Sequence, residues 1–239
     1  MQTEDIQLST ADGPMRVYRT TPGGESRGAV IVVPEAFGVN EHIEDVTRRV
    51  ADAGYVGIGL DIFHRAGGGT AAYTDMKQVL ALFKGLDDDG LIVDIDAARE
   101  HLHGIGYDDS RIGVVGFCFG GRIAFLAGVR RALGAAVSFY GGGMTGPGFF
   151  RGFDPLVDQT GSLSTPWLGF FGDKDASIRT AEVETFRTVL AQTARVPNEI
   201  VRYIDADHAF HCDARPSYHE PSAKDAWQRT LDWFGTYLS

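Results

Sequence analysis

Cysteine is almost absent from this chain: Cys118 and Cys212 are its only thiols in 239 residues. Two cysteines cannot build a disulfide framework, and these two lack metal-ligand spacing, so no metal site is expected. Positive charge is in deficit and scattered, with 22 Lys and Arg against 32 Asp and Glu, a formal net charge of −10. Nucleic acid and anionic membranes both need a basic footprint, so neither is an expected partner. No apolar run approaches membrane-spanning length. Met1-Gln2-Thr3-Glu4-Asp5 has no basic start and no apolar stretch, so no secretory signal is expected, and the cytoplasm is the expected compartment. Internal repeats and low-complexity linkers are also missing. The length then suits one α/β domain spanning residues 1–239.

What is present reads as strands alternating with helices. Apolar residues make up 44% and charged residues 23%, the balance of a chain that buries a core. Asp5–Thr10 and Met15–Thr20 alternate in polarity around Ala11-Asp12-Gly13-Pro14 and predict a hairpin. Ala29–Val33 is continuously apolar, the mark of a strand buried on both faces. Ile43, Val46, Val50 and Ala53 stand at helical spacing up to Gly54. A strand over Tyr55–Leu60 follows, then a helical stripe of Leu91, Ile95, Ala98 and Leu102, then the strand Ile112–Val115. A helix over Ile123–Gly128 precedes strands at Ala135–Tyr140, Trp167–Phe171 and Glu199–Ile204. Trp227, Leu231, Phe234 and Leu238 mark the last helix. This rhythm predicts a mostly parallel central sheet with helices on both faces. Gly141 to Ser164, Gly-rich with Phe149, Phe150, Phe153 and Leu156, has no clear period. It is either a functional loop near the carboxyl edge of the sheet or an extra surface loop.

Gly116-Phe117-Cys118-Phe119-Gly120-Gly121 joins a predicted strand to a predicted helix. That is the nucleophile-elbow pattern, with cysteine where serine is more usual. So sharp a turn strains the nucleophile's backbone and leaves no room for neighbouring Cβ atoms. The helix N-terminus favours a thiolate, and the Phe119 N–H can face a developing oxyanion. A cysteine that is only a small buried hydrophobe is the competing reading. The base and acid should follow in the order nucleophile, acid, histidine. His208 lies just beyond the strand ending at Ile204, and His211 is the alternative; His42, His101 and His103 fall on predicted helices and are expected to be solvated. Asp173 and Asp175 both follow the strand ending at Phe171. Asp175 is preferred because Asp173 suits the turn itself. Glu35 directly follows the most apolar strand, where a carboxylate is costly unless it is paired or used. The competing reading is a rim salt bridge to an arginine. The Ala36 N–H is the natural second oxyanion donor.

Together these residues resemble the dienelactone hydrolase family, from Val32 through the last helix. The similarity is carried by Pro34-Glu35-Ala36-Phe37-Gly38-Val39-Asn40, the Cys118 elbow, Tyr140-Gly141, Gly172-Asp173-Lys174-Asp175 and His208-Ala209-Phe210. The resemblance implies an α/β-hydrolase fold, a Cys118-His208-Asp175 triad, and a Glu35 that helps control the ionisation of the nucleophile. It implies no cofactor. Phe37, Arg65, Tyr140, Phe210 and Cys212 are expected to border the substrate on the same ground. Members acting on dienelactone hold its carboxylate with arginines, and here the pattern departs. The position four residues after His208 is Cys212, the nearest arginine is Arg215, and none occurs between Tyr73 and Lys77. Residues Gly141 to Ser164 are also longer than the family's usual connection. The expected activity is hydrolysis of small esters or lactones through an acyl-thioester, by a monomer or homodimer. Rival readings are a general carboxylesterase or dehalogenase on the same frame, a non-catalytic binding protein, and a redox module pairing Cys118 with Cys212.

Overall fold

The computed structural model describes residues 1–146 and 152–238. In chain order the elements are β1 (Gln2–Thr10), β2 (Gly13–Thr21), β3 (Ala29–Val33), α1 (Glu41–Asp52) and β4 (Val56–Leu60). These are followed by α2 (Met76–Leu82), α3 (Asp88–Gly104), β5 (Ile112–Phe117), α4 (Phe119–Arg130) and β6 (Ala135–Phe139). The chain closes with β7 (Trp167–Gly172), α5 (Thr180–Thr193), β8 (Asn198–Tyr203) and α6 (Glu220–Tyr237). One sheet of eight strands results, in the order β1-β2-β4-β3-β5-β6-β7-β8. The β1–β2 hairpin adds on antiparallel through β4, and every pairing from β4 to β8 is parallel.

Every residue of β3 to β7 is buried, as continuously apolar runs require when both faces are covered. Alternation along β5 shows what covers each face. A Cβ on Gly113 would meet the Phe234 ring of α6, whereas a Cβ on Gly116 would meet the Gly120 carbonyl of α4. His42 of α1 packs on Phe117, which shares the parity of Gly113, so α1 and α6 cover one face. Phe186 of α5 packs on Phe125 of α4 on the other.

Several details differ from the sequence reading. Helix α4 begins at Phe119, immediately after Cys118, because the elbow turns strand into helix within one residue. Helices α2 and α5 carry weak apolar stripes and escape a reading by periodicity. His42 is buried rather than solvated, since the chain after His208 folds back over α1 and brings Asp213 to its Nδ1 at 3.3 Å. On α6 the buried stripe is Ala223, Ala226, Thr230 and Phe234, with Trp227 and Leu231 only half-buried. Within residues 141–164 a short 3₁₀ turn, Val157–Ser162, is flanked by buried Leu156 and Leu163. Phe149 and Phe150 lie outside the described residues. Among the described residues no helix is long and apolar enough to cross a membrane.

Candidate active site

Cys118 stands between the end of β5 and the start of α4 with φ 54° and ψ −114°, a backbone that L-residues rarely adopt. The glycines around it are required by contact. A Cβ at Gly116 would stand 1.9 Å from the Gly120 carbonyl oxygen, and one at Gly120 would stand 2.3 Å from that of Val33. Hydrogen bonds fix the turn: Cys118 N–H donates to Phe139 O at 3.0 Å, and Gly121 N–H donates to Cys118 O at 3.0 Å. The side chain therefore projects at the carboxyl edge of the sheet, where open α/β sheets bind ligands.

Two loops deliver the partners. His208 follows β8, and its Nε2 lies 3.2 Å from Cys118 Sγ. Its Nδ1 lies 2.6 Å from Asp175 Oδ2, in the loop after β7. Asp175 is held by its other oxygen, which accepts the Ser177 N–H at 2.8 Å, the Ser177 hydroxyl at 2.6 Å and the Ile178 N–H at 3.1 Å. An Nδ1–H donated to Asp175 leaves Nε2 facing the sulfur. Burial opposes the charged forms of both groups, yet their mutual contacts prevail. His208 is raised well above its ordinary value, chiefly by the Cys118 charge and the Asp175 bond, and Asp175 is lowered by His208 and Ser177. Asp173 turns elsewhere, to a bidentate pair with Arg202 at 2.7 Å for each bond. His211 is buried against Phe117, Phe139 and Trp227 and does not reach this array.

Glu35 lies in the loop after β3, 1% exposed, and neither carboxylate oxygen has a hydrogen-bond partner among the described residues. The nearest cation is Arg215, whose Nη1 is 3.9 Å away. Around it lies a polar pocket within the core. Tyr73 O–H and Cys212 Sγ are 3.4 Å apart, Asn40 Nδ2 donates to Tyr73 at 3.1 Å, and the buried Tyr140 hydroxyl has no partner among the described residues. Burial first, and then the Glu35 charge, push the Cys212 thiol up to about 11; burial and the same charge also raise Tyr140. Ala36 N–H, beside Glu35, makes no hydrogen bond among the described residues.

Cys118 opens into a cavity of about 380 Å³ that also exposes Ala36, Phe119, Asp175 and His208. Of the five residues expected to border substrate, only Phe37 lines it. Tyr140 supports the site from behind, its ring 5.1 Å from that of His208, and Phe210 packs beneath Tyr140 at 5.3 Å. Cys212 is fully buried. Arg65 is turned away from the site, held bidentate by Asp94 at 2.8 and 2.9 Å and by Asp12 at 2.8 Å. Sequence reasoning missed Arg122, Val79, Phe153, Ile178, Val183 and Phe186, all of which line the cavity. Only Arg122 carries a local signal, one helical turn beyond Cys118. It is buried and committed to Asp88 in a bidentate pair at 2.5 and 2.9 Å.

A parallel sheet entered by a hairpin, with a strained cysteine elbow at its carboxyl edge facing a histidine, defines an α/β-hydrolase. The family profile of the dienelactone hydrolases matches residues 15–238. A Yersinia pestis protein named "Putative carboxymethylenebutenolidase" is 42% identical over 86% of this chain and 76% of that protein. A Salmonella typhimurium protein of the same name is 41% identical over 95% of this chain and 83% of its own length. The crystal structure titled "Putative Dienelactone Hydrolase" from Klebsiella pneumoniae superposes with a TM-score of 0.90 at 38% identity, covering 99% of both chains. The chain belongs to the dienelactone hydrolase family and is a carboxylic ester hydrolase of that type.

Proposed function

We propose that the chain hydrolyses small lactones or carboxylic esters through a Cys118-His208-Asp175 triad and an acyl-thioester. The observation carrying this reading is the 3.2 Å approach of His208 Nε2 to Cys118 Sγ, with Asp175 behind the ring at 2.6 Å. Cys118 attacks the carbonyl carbon as thiolate, and the carbonyl electron pair moves onto oxygen. The N–H groups of Phe119, at the first turn of α4, and of Ala36 receive that oxyanion. As the carbon–oxygen bond to the leaving group breaks, His208 gives its Nε2 proton to the departing oxygen. The ring then takes a proton from water, hydroxide attacks the thioester, and the carbon–sulfur bond breaks to return the thiolate. Asp175 holds the tautomer and the charge of the imidazolium without accepting a proton.

Glu35, buried beside the elbow with no hydrogen bond among the described residues and Arg215 3.9 Å away, controls the charge balance around the nucleophile. Arg215 is the cation that meets an acidic substituent, because Arg65 is committed and Cys212 replaces an arginine. Activated esters and strained enol-lactones suit a thiolate, itself a good leaving group, better than amides do. Ultraviolet-monitored ring opening of a dienelactone by wild type and Cys118→Ala tests the proposal. Opening by the wild type that is lost in the variant supports it. Activity of Cys118→Ala within a few-fold of wild type sinks it.

A further inference from the structure

The cavity of about 380 Å³ has a wall of two kinds, exposed polar residues and buried apolar ones. Around His208 the wall is formed by Asp207, Ala176 and Ser177, all exposed. The wall also carries the buried side chains of Val79, Phe119, Val183 and Phe186 and the half-buried Phe153, with Ile178 next to Asp175. Phe153 stands edge-on to Phe119 with ring centroids 5.0 Å apart. It is steadied from below by the Arg122 guanidinium, 5.1 Å from its ring centroid. The Asp88 pair and the bond from Arg122 to Asp154 O at 2.8 Å hold that guanidinium in place, so it supports the wall and is already neutralised.

The mechanism orients a substrate between these two kinds of wall. The leaving oxygen must lie within reach of His208 Nε2, so the leaving group faces the open polar rim. The carbonyl carbon is bonded to Cys118 and its oxygen points to the start of α4. The remaining substituent, the acyl group, is directed away from His208, toward the apolar wall. We infer that the lobe bounded by Val79, Phe119, Phe153 and Val183 is an acyl-binding subsite, and that the substrates include esters with an aromatic or medium-chain hydrocarbon acyl group. The inference rests on the proposed thioester mechanism, since that mechanism decides which half of the substrate enters the lobe. An acyl chain there displaces water from apolar wall and stays shielded while the leaving group escapes.

The test is the acyl-length profile of p-nitrophenyl acetate, butyrate, hexanoate and benzoate, which share one leaving group. Hexanoate or benzoate should exceed acetate in kcat/KM by about tenfold or more, the gain of filling an apolar pocket. Phe153→Ala, on a partly exposed loop, should cut that ratio about fivefold or more, and Val79→Phe, which fills the lobe, should cut it further. Thermal melts of both variants confirm that they fold. A flat or falling profile in wild type overturns the inference but leaves the hydrolase reading standing. So does a preference that tracks the leaving group, read by comparing p-nitrophenyl acetate with 2-naphthyl acetate. A hexanoate preference untouched by either folded variant also overturns it, because the chain then binds elsewhere. Turnover unaffected by Cys118→Ala defeats the mechanism itself, and the assignment of the lobe with it.

Discussion

The guanidinium of Arg215 stands 3.9 Å from the buried carboxylate of Glu35, beyond hydrogen-bond reach. It lies instead on the faces of Phe37 and Tyr73, 5.6 Å from each ring centroid, where it lines the cavity. Cation–π contact positions the fork without using its N–H donors, which stay available to an anion. Arg215→Met keeps the length of the stem and removes the charge. The ratio of kcat/KM for a carboxylate-bearing lactone to that for a neutral ester should fall about tenfold or more, mostly through KM. An unchanged ratio assigns anion recognition to another group.

Two aspartates two residues apart have different partners, and substitution should separate them. Asp175→Asn keeps the shape of the loop but permits the wrong His208 tautomer, so kcat should fall by about 10³- to 10⁴-fold. Asp173→Asn weakens the bidentate pair with Arg202, which joins the β7 turn to β8. It should cost about 1 kcal/mol of stability, read by denaturant unfolding, with far less effect on kcat. The reverse pattern would exchange the two roles.

How much of this was legible in the sequence follows from which forces are local. The elbow shows in the sequence because contacts within five residues, Gly116 against Gly120, permit no side chain. Strands β3 to β7 show because burial on both faces demands an unbroken apolar run. Helix α5 does not, since only Val183, Phe186 and Leu190 are buried among its fourteen residues. The fate of Arg65 was hidden as well: Asp94, 29 residues away, claims its guanidinium through packing that no spacing encodes. His42 was misread for the same reason, buried by a segment 171 residues further on. Cys118, Asp175 and His208 stand just beyond strand ends, where sequence order predicts geometry. The cavity walls come from α2, α4, α5 and the loops after β3, β6, β7 and β8, and only tertiary packing brings them together.

The charge state of His208 gives a prediction with a definite sign. Burial favours its neutral ring, but the Cys118 charge and the Asp175 bond outweigh burial and hold the ring protonated well above 6.5. A group raised in this way adds stability that is full below its unfolded value and is lost as pH rises through the folded one. Unfolding free energy should therefore decline on the alkaline side of neutrality. In Cys118→Ala the ring loses its largest raising influence. Its midpoint, followed by imidazole resonances in nuclear magnetic resonance, should move down, and the alkaline decline should be smaller and end at lower pH. A midpoint equal to wild type would mean that no charge sits on Cys118 beside the ring.

The two thiols should differ sharply toward an alkylating agent. Cys118 lies in the cavity wall and is partly exposed, so iodoacetamide can reach it. Cys212 is fully buried, contacts the Tyr73 hydroxyl at 3.4 Å, and is pushed up to about 11 by burial and the Glu35 charge. Thiolate is the reactive form, so at about pH 8 the Cys212 thiolate is scarce as well as inaccessible. Intact mass of the folded wild type should show one adduct, and peptide mapping should place it on Cys118. Cys118→Ala should take none until denaturant exposes Cys212. Glu35→Gln removes the second cause but leaves the larger one, burial, so Cys212 should remain unmodified at that pH while its alkaline onset moves down. Two adducts on folded wild type would show that the region beneath the elbow opens to reagent, and that the two sulfurs share solvent access.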